Sequence, residues 1–197
     1  AGEEKTIAYL VEKFKAAGLE PGNGESWFQD VGLVEINAKN MSNLTVTGKD
    51  GAAMNFAPSK DFVAVTYQEK PKIEVADSEI VFVGYGVNAE AQSWNDYEGV
   101  DVKGKTVLIL VNDPDFGTES LEGDFGGRAM TYFGRWTYKF EEAARQGAAA
   151  ALVVHDTAPA AYGWNVVESS WTGPQFYAQS ANGGSDQTMA NGWVQKD

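Results

Sequence analysis

Two short apolar runs, Thr106–Val111 and Ala149–Val154, flank a helical stripe, and this arrangement limits the folds open to the chain. Val107-Leu108-Ile109-Leu110 and Ala151-Leu152-Val153-Val154 show no polar alternation, the pattern of strands covered on both faces. Between them Phe140, Ala143 and Ala144 mark the inner side of a helix over Trp136–Gln146, with Gly147 closing it. An acidic, glycine-rich loop over 112–127 separates the first run from the helix. Strand, long loop, helix and strand make a β-x-α-β unit.

Most of what precedes this unit has a period near two. Leu44 and Val46 alternate with threonines, Gly48–Gly51 turns the chain, and Met54 and Phe56 complete a hairpin. Phe62–Thr66 predicts a short strand, Glu79–Tyr85 a short buried one, and Trp27–Ile36 a strand with a bulge at Gly32. Glu3–Ala17 reads as an amphipathic helix with a stripe of Ile7, Leu10, Val11 and Phe14, ended by Gly18 and Pro21. Residues 157–197 predict only short strands or loops. The fold class is therefore α/β, mostly β.

Charge and composition narrow the function. With 28 acidic against 15 basic side chains the net charge is −13, which repels phosphate backbones and acidic lipid surfaces, so no nucleic acid and no membrane partner is expected. No apolar run approaches the ~20 residues of a transmembrane helix. The opening Ala-Gly-Glu-Glu reads as that of a matured or trimmed chain. There is no cysteine and a single histidine, His155, so the imidazoles or thiolates of a zinc hydrolase site are missing. A serine triad would have His155 as its sole base, and no G-x-S-x-G elbow occurs.

Three motifs need separate reading. Gly99–Thr106 fits GxxxxGK[ST], but Thr106 runs into strand-forming residues rather than a helix N-terminus, so a turn feeding a strand is expected. Gly84-Tyr85-Gly86-Val87-Asn88-Ala89 fits G-x-G-x-x-[GA], yet no crossover helix can be drawn through Ser93–Gly99. Asp113, Asp115 and Asp124 share one loop, but Gly117 occupies the fifth position of an EF-hand spacing, and a solvated acidic loop is expected. His155, with no second ligand nearby in sequence, is expected to be structural.

Val83–Val87, Asn95–Lys105, Val111–Pro114 and Phe140–Ala148 together resemble a protease-associated (PA) domain. The matching pieces are the Lys103-Gly104-Lys105 turn entering a strand and the Ala143–Ala148 helix end. Met130–Lys139 resembles more narrowly the PA domains inserted in bacterial zinc aminopeptidases of peptidase family M-28, distant relatives of glutamate carboxypeptidase II and the transferrin receptor. Gly2–Thr6 through Gly18-Leu19 resembles the first helix of such a peptidase. The resemblance covers residues 1 to about 175.

The resemblance implies a swivelling β/β/α or open-barrel PA fold over residues 41–197, with residues 1–40 belonging to a peptidase domain. It implies a secreted or periplasmic non-catalytic domain that shapes substrate access and contacts its own catalytic domain. Peptide is the implied substrate. No cofactor is expected in this chain; two zinc ions would lie in the catalytic domain, which draws on two histidines and a His-x-Asp segment that this sequence lacks. No catalytic or metal residue is carried over. Asp113, Asp115, Arg128, Tyr132, Arg135 and Trp136 are the candidate interface or substrate-access residues, because aromatics with arginine are typical interface material; Trp136 and Tyr138 fit a core role equally well. The Ile7–Phe14 stripe, without its native partner, can fold back, fray or pair with a second copy as a homodimer. The alternative is a stand-alone carbohydrate- or peptide-binding β module, suggested by 6 Trp and 8 Tyr.

Overall fold

The computed structural model describes residues 2–196. The chain divides into two compact units, Ala1–Leu33 and Val34–Asp197, so residues 34–40 fall in the second. In the first unit, helix α1 (Gly2–Ala16) carries Glu3 and Glu4 in its first turn and Lys13 and Lys15 in its last, complementing the helix dipole. It ends in a left-handed Gly18, φ +77°. Gly18 N–H donates to Lys15 O, and Leu19 N–H reaches back to Phe14 O, both at 3.0 Å. None of the helix residues is buried.

The strand expected over Trp27–Ile36 shrinks to β1 (Leu33–Ile36). Ahead of it, side chains capture the backbone: Asn23 Nδ2 and Ser26 Oγ both donate to Phe28 O, and Phe28 N–H donates to Ser26 Oγ. Such local bonds compete with a ladder.

The second unit contains the predicted hairpin, β2 (Leu44–Thr47) with β3 (Ala53–Phe56), paired Leu44↔Phe56. Then come β4 (Phe62–Val65), β5 (Ile80–Phe82) and a two-residue pair, β6 (Asn88–Ala89) with β7 (Trp94–Asn95). β8 (Thr106–Leu110), α2 (Trp136–Arg145) and β9 (Ala150–His155) form the expected unit. After α3 (Thr157–Ala160) and α4 (Trp164–Trp171), β10 (Gln175–Ala178) pairs with β1, and β11 (Ala190–Gln195) enters the main sheet.

That sheet has the order β4-β11-β9-β8-β5. β5, β8, β9 and β11 run parallel and β4 antiparallel. Each parallel crossover steps one strand in the same direction, so right-handed connections fall on one face. Phe140 and Ala143 of α2 and Val167 of α4 share a core with Val107, Ile109, Val153 and Trp193, all on that face. On the opposite face Leu108, Leu110, Val154 and Val194 are half-buried. The fold is mixed α/β, mainly β, with flanking helices.

Two expectations need correction. Glu79–Tyr85 is not a buried strand but a three-residue edge, with Phe82 59% exposed. Left-handed Gly84 and Gly86 end it, and a Cβ on Gly86 would lie 2.9 Å from Ile109 Cγ2, so the chain folds closely over β8. Residues 157–196 hold more than short strands and loops: helices α3 and α4 are added, and the strand β11 is central, with Trp193 fully buried.

Candidate functional site

The long loop between β8 and α2 leaves the carboxyl end of a parallel strand, where α/β sheets place their sites. Asn112, with left-handed φ of +72°, turns the chain out of β8. Its Nδ2 donates to Pro159 O at 2.7 Å, and its Oδ1 accepts from Asp113 N–H at 2.8 Å. Asp113 is wholly buried. Its Oδ2 accepts from Thr131 N–H at 2.9 Å and Thr131 Oγ1 at 2.8 Å, pinning the far end of the loop to its start. Asp115 Oδ2 accepts from Phe125 N–H at 2.9 Å. The loop closes tightly on both carboxylates: an added Cβ would lie 3.0 Å from Asp113 Oδ2 at Gly134 and 2.2 Å from Asp115 Oδ2 at Gly123.

Beneath the loop α2 contributes a fully buried Lys139. Its Nζ donates to Tyr85 O at 2.6 Å and Asn112 O at 2.8 Å, joining the chain exits of β5 and β8. Burial pushes this amine down to about 7, against the opposing pull of Asp113 and Asp96. One turn along, buried Glu142 accepts from Asn88 Nδ2, Arg145 Nε and Gln146 Nε2. Tyr138 Oη donates to Asn88 O and accepts from Asn88 N–H. Phe125, Phe133 and Tyr138 stack edge to face under the loop. α2 is therefore polar and buried on the side where hydrophobic periodicity predicted solvent.

The six candidate residues separate into two groups. Asp113 and Asp115 turn inward and hold backbone, so the expectation of a solvated acidic loop fails for these two: their carboxylates shape the loop. Trp136 packs on Phe140 and Trp171, ring centroids 5.9 and 5.3 Å away. Arg128, Tyr132 and Arg135 stay exposed. Tyr132 and Arg135 sit on one 3₁₀ turn, and Tyr132 Oη donates to the Glu141 carboxylate, which raises the phenol's pKa. Lys139, Asn112 and Glu142 were not foreseen. The clue available in sequence was the spacing of Lys139 and Glu142 beside Phe140 and Ala143, which broadens the buried face of α2.

The remaining motifs behave as structure. Thr106 opens β8, and Lys105 Nζ pairs with Glu79 at 3.1 Å and Asp101 at 3.7 Å. His155 is buried, its Nε2 3.0 Å from Tyr162 O, with Tyr162, Trp164 and Trp193 around its ring. Asp156 caps α3 and pairs with Lys196. Among the described residues no three His, Cys, Asp or Glu side chains converge on a metal-sized site. With its single imidazole committed to a carbonyl inside an aromatic cage, the chain's donor set does not fit a two-zinc centre. Among the described residues no helix is long and apolar enough to cross a membrane.

Fold and site together define a mixed α/β domain whose buried ionisable groups organise one surface loop. No family model matches the chain, and no curated protein does. Among solved structures it is similar to an aminopeptidase from Aneurinibacillus sp. strain AM-1, at 19% identity and a TM-score of 0.40. The match covers 98% of this chain and 33% of the aminopeptidase, so the chain spans about a third of that protein's length. A likeness at this level carries no argument about activity.

Proposed function

We propose that this chain is a non-catalytic, protease-associated-type domain of a secreted zinc-dependent aminopeptidase, which contacts the catalytic domain and shapes access of peptide substrates. The observation that carries the reading is the 112–135 loop. Its interior is held by Asp113, Asp115 and Lys139, while Arg128, Tyr132 and Arg135 are exposed on its surface. A rigid loop presenting arginine and tyrosine meets a partner at low entropic cost. The motif resemblance coincides with this region, since Val111–Pro114 and Met130–Lys139 are the segments that build it.

The rival reading, a stand-alone carbohydrate- or peptide-binding β module built on aromatic stacking platforms, loses its main support. Trp193 is buried, and Trp136, Trp164 and Trp171 pack against the same core, so much of the aromatic surplus is spent inside. The test has two arms. The chain should not hydrolyse leucyl-p-nitroanilide with or without zinc, and zinc-dependent turnover abolished by His155→Ala would overturn the reading. The catalytic domain encoded by the same gene should bind the chain, at least tenfold more weakly after Arg128→Glu with Arg135→Glu. A gene encoding no such domain, or binding indifferent to both charges, would also defeat it.

A further inference from the structure

The β4 edge of the sheet carries unused main-chain groups. Gln195 N–H donates to Asp61 O at 2.9 Å. Hydrogen bonding alternates along an antiparallel pair. In the register Val194↔Phe62, Trp193↔Val63, Gly192↔Ala64, the main-chain groups of Asp61, Val63 and Val65 therefore face β11 and those of Phe62 and Ala64 face outward. Phe62 is satisfied locally: its N–H donates to Ala57 O at 3.4 Å, and its carbonyl accepts from Ser59 N–H at 2.7 Å. Ala64 has no such outward partner among the described residues, and β4 ends the sheet.

Ala64 lines a cavity of about 230 Å³, closed by Ile36, Met41 and the Trp171–Gly173 segment. None of the lining residues is ionisable, in a chain of net charge −13. We infer that this groove binds a neutral, extended peptide segment, which adds to the β4 edge as a further strand of the sheet. The outward N–H and C=O of one strand residue match the main chain of an extended partner, and alternate side chains of that partner point into the groove. The volume lies below the ~300–1,000 Å³ of sites that enclose a drug-sized ligand, which suits one guest side chain beside its backbone. A charged residue or free terminus seated there would be buried unpaired, so the guest is an internal, uncharged stretch. Two strands, β11 and β9, separate β4 from β8 and its loop, and the groove does not depend on the reading of that loop.

The experiment uses the full chain and acetyl-Thr-Val-Ala-Val-Thr-amide, followed by amide NMR. Saturable shifts centred on Ala64, Thr66 and Gly173 are expected. Ala64→Pro removes only an outward N–H, which an edge strand tolerates, and should abolish the shifts while the far-ultraviolet spectrum is kept. N-methylation of one alternate set of peptide amides should weaken binding at least tenfold, and of the other set less than twofold; this arm stands even if the proline variant misfolds. No saturable shift at millimolar peptide overturns the proposal. So do shifts that survive Ala64→Pro in a folded variant, or equal effects of both methylated sets. Self-association of the chain alone that Ala64→Pro abolishes would assign the edge to a second copy and overturn it too.

Discussion

Two of the ionisable side chains sealed inside the second unit, Lys139 and His155, are housed in opposite ways. Lys139 sits among main-chain carbonyls, with Asp113 and Asp96 close enough to act on its charge. His155 sits among rings, with one polar contact, to Tyr162 O, and Trp164 and Trp193 packed about it. The first region is specified by hydrogen bonds and charge, the second by shape and apolar area. A charged group withdrawn from water needs every partner it has, whereas an aromatic cage loses stability in proportion to the volume removed.

The largest expected effect breaks the aromatic side. Trp193→Ala empties a fully buried site on a central strand and should lower stability by about 3–5 kcal/mol in urea titration. The loop's resistance to protease should persist while the variant remains folded. Asp113→Ala breaks the polar side: it removes a charged acceptor from Thr131 N–H and Oγ1 and should cost about 2–3 kcal/mol. Here limited proteolysis within 114–130 should accelerate, and an unchanged cleavage rate would show that the loop is held by other means.

Lys139→Met sharpens the contrast through pH. The amine titrates near 7 in the fold and near its ordinary value of 10.5 when unfolded. Between those values the unfolded chain holds the extra proton, so stability of the natural chain should rise from pH 7 towards pH 10; below 7 both states are protonated and the burden is full. The stability of Lys139→Met relative to the natural chain should thus be highest at or below pH 7 and fall as pH rises. A difference that does not change with pH would mean the buried amine keeps its ordinary pKa. The smallest effect is expected at His155→Phe, which keeps the ring and forfeits one hydrogen bond, costing about 1 kcal/mol or less by thermal melting. A loss as large as that of Trp193→Ala would show that the cage depends on its polar contact after all.

Legibility in sequence follows the same divide. β8, α2 and β9 could be read because apolar side chains alone determine them. β11 could not: Asn191 and Gly192 interrupt any apolar or alternating run. Yet Asn191 is buried, its Oδ1 accepting from Thr188 Oγ1 at 2.6 Å, and Gly192 is needed because a Cβ there would stand 2.4 Å from Val63 O. The partner of Asn191 is local, but the demand for glycine at 192 comes from Val63, far away in sequence. Within the candidate segment the expectation of a solvated acidic loop failed at Asp113 and Asp115, whose carboxylates turn inward. Sequence showed carboxylates near glycines; whether they faced water or Thr131 and Phe125 depended on the loop's path. Lys139 and Glu142 escaped for a similar reason, since a charged residue on a helix is ordinarily exposed.

The place of β11 in the sheet has a consequence for the order of assembly. β4 is made early, but its ladder partner is the last strand. During synthesis β5, β8 and β9 can pair and gather α2 while β4 waits, with both of its edges open. Only when residues 191–194 emerge can β11 slide between β9 and β4 and close the sheet. Closing such a distant contact is slow, and the waiting strand is apolar at Phe62, Val63 and Val65. A nascent chain that has emerged only as far as Met189 would therefore display a nearly complete sheet with an adhesive flank, the state in which a chaperone has most to protect.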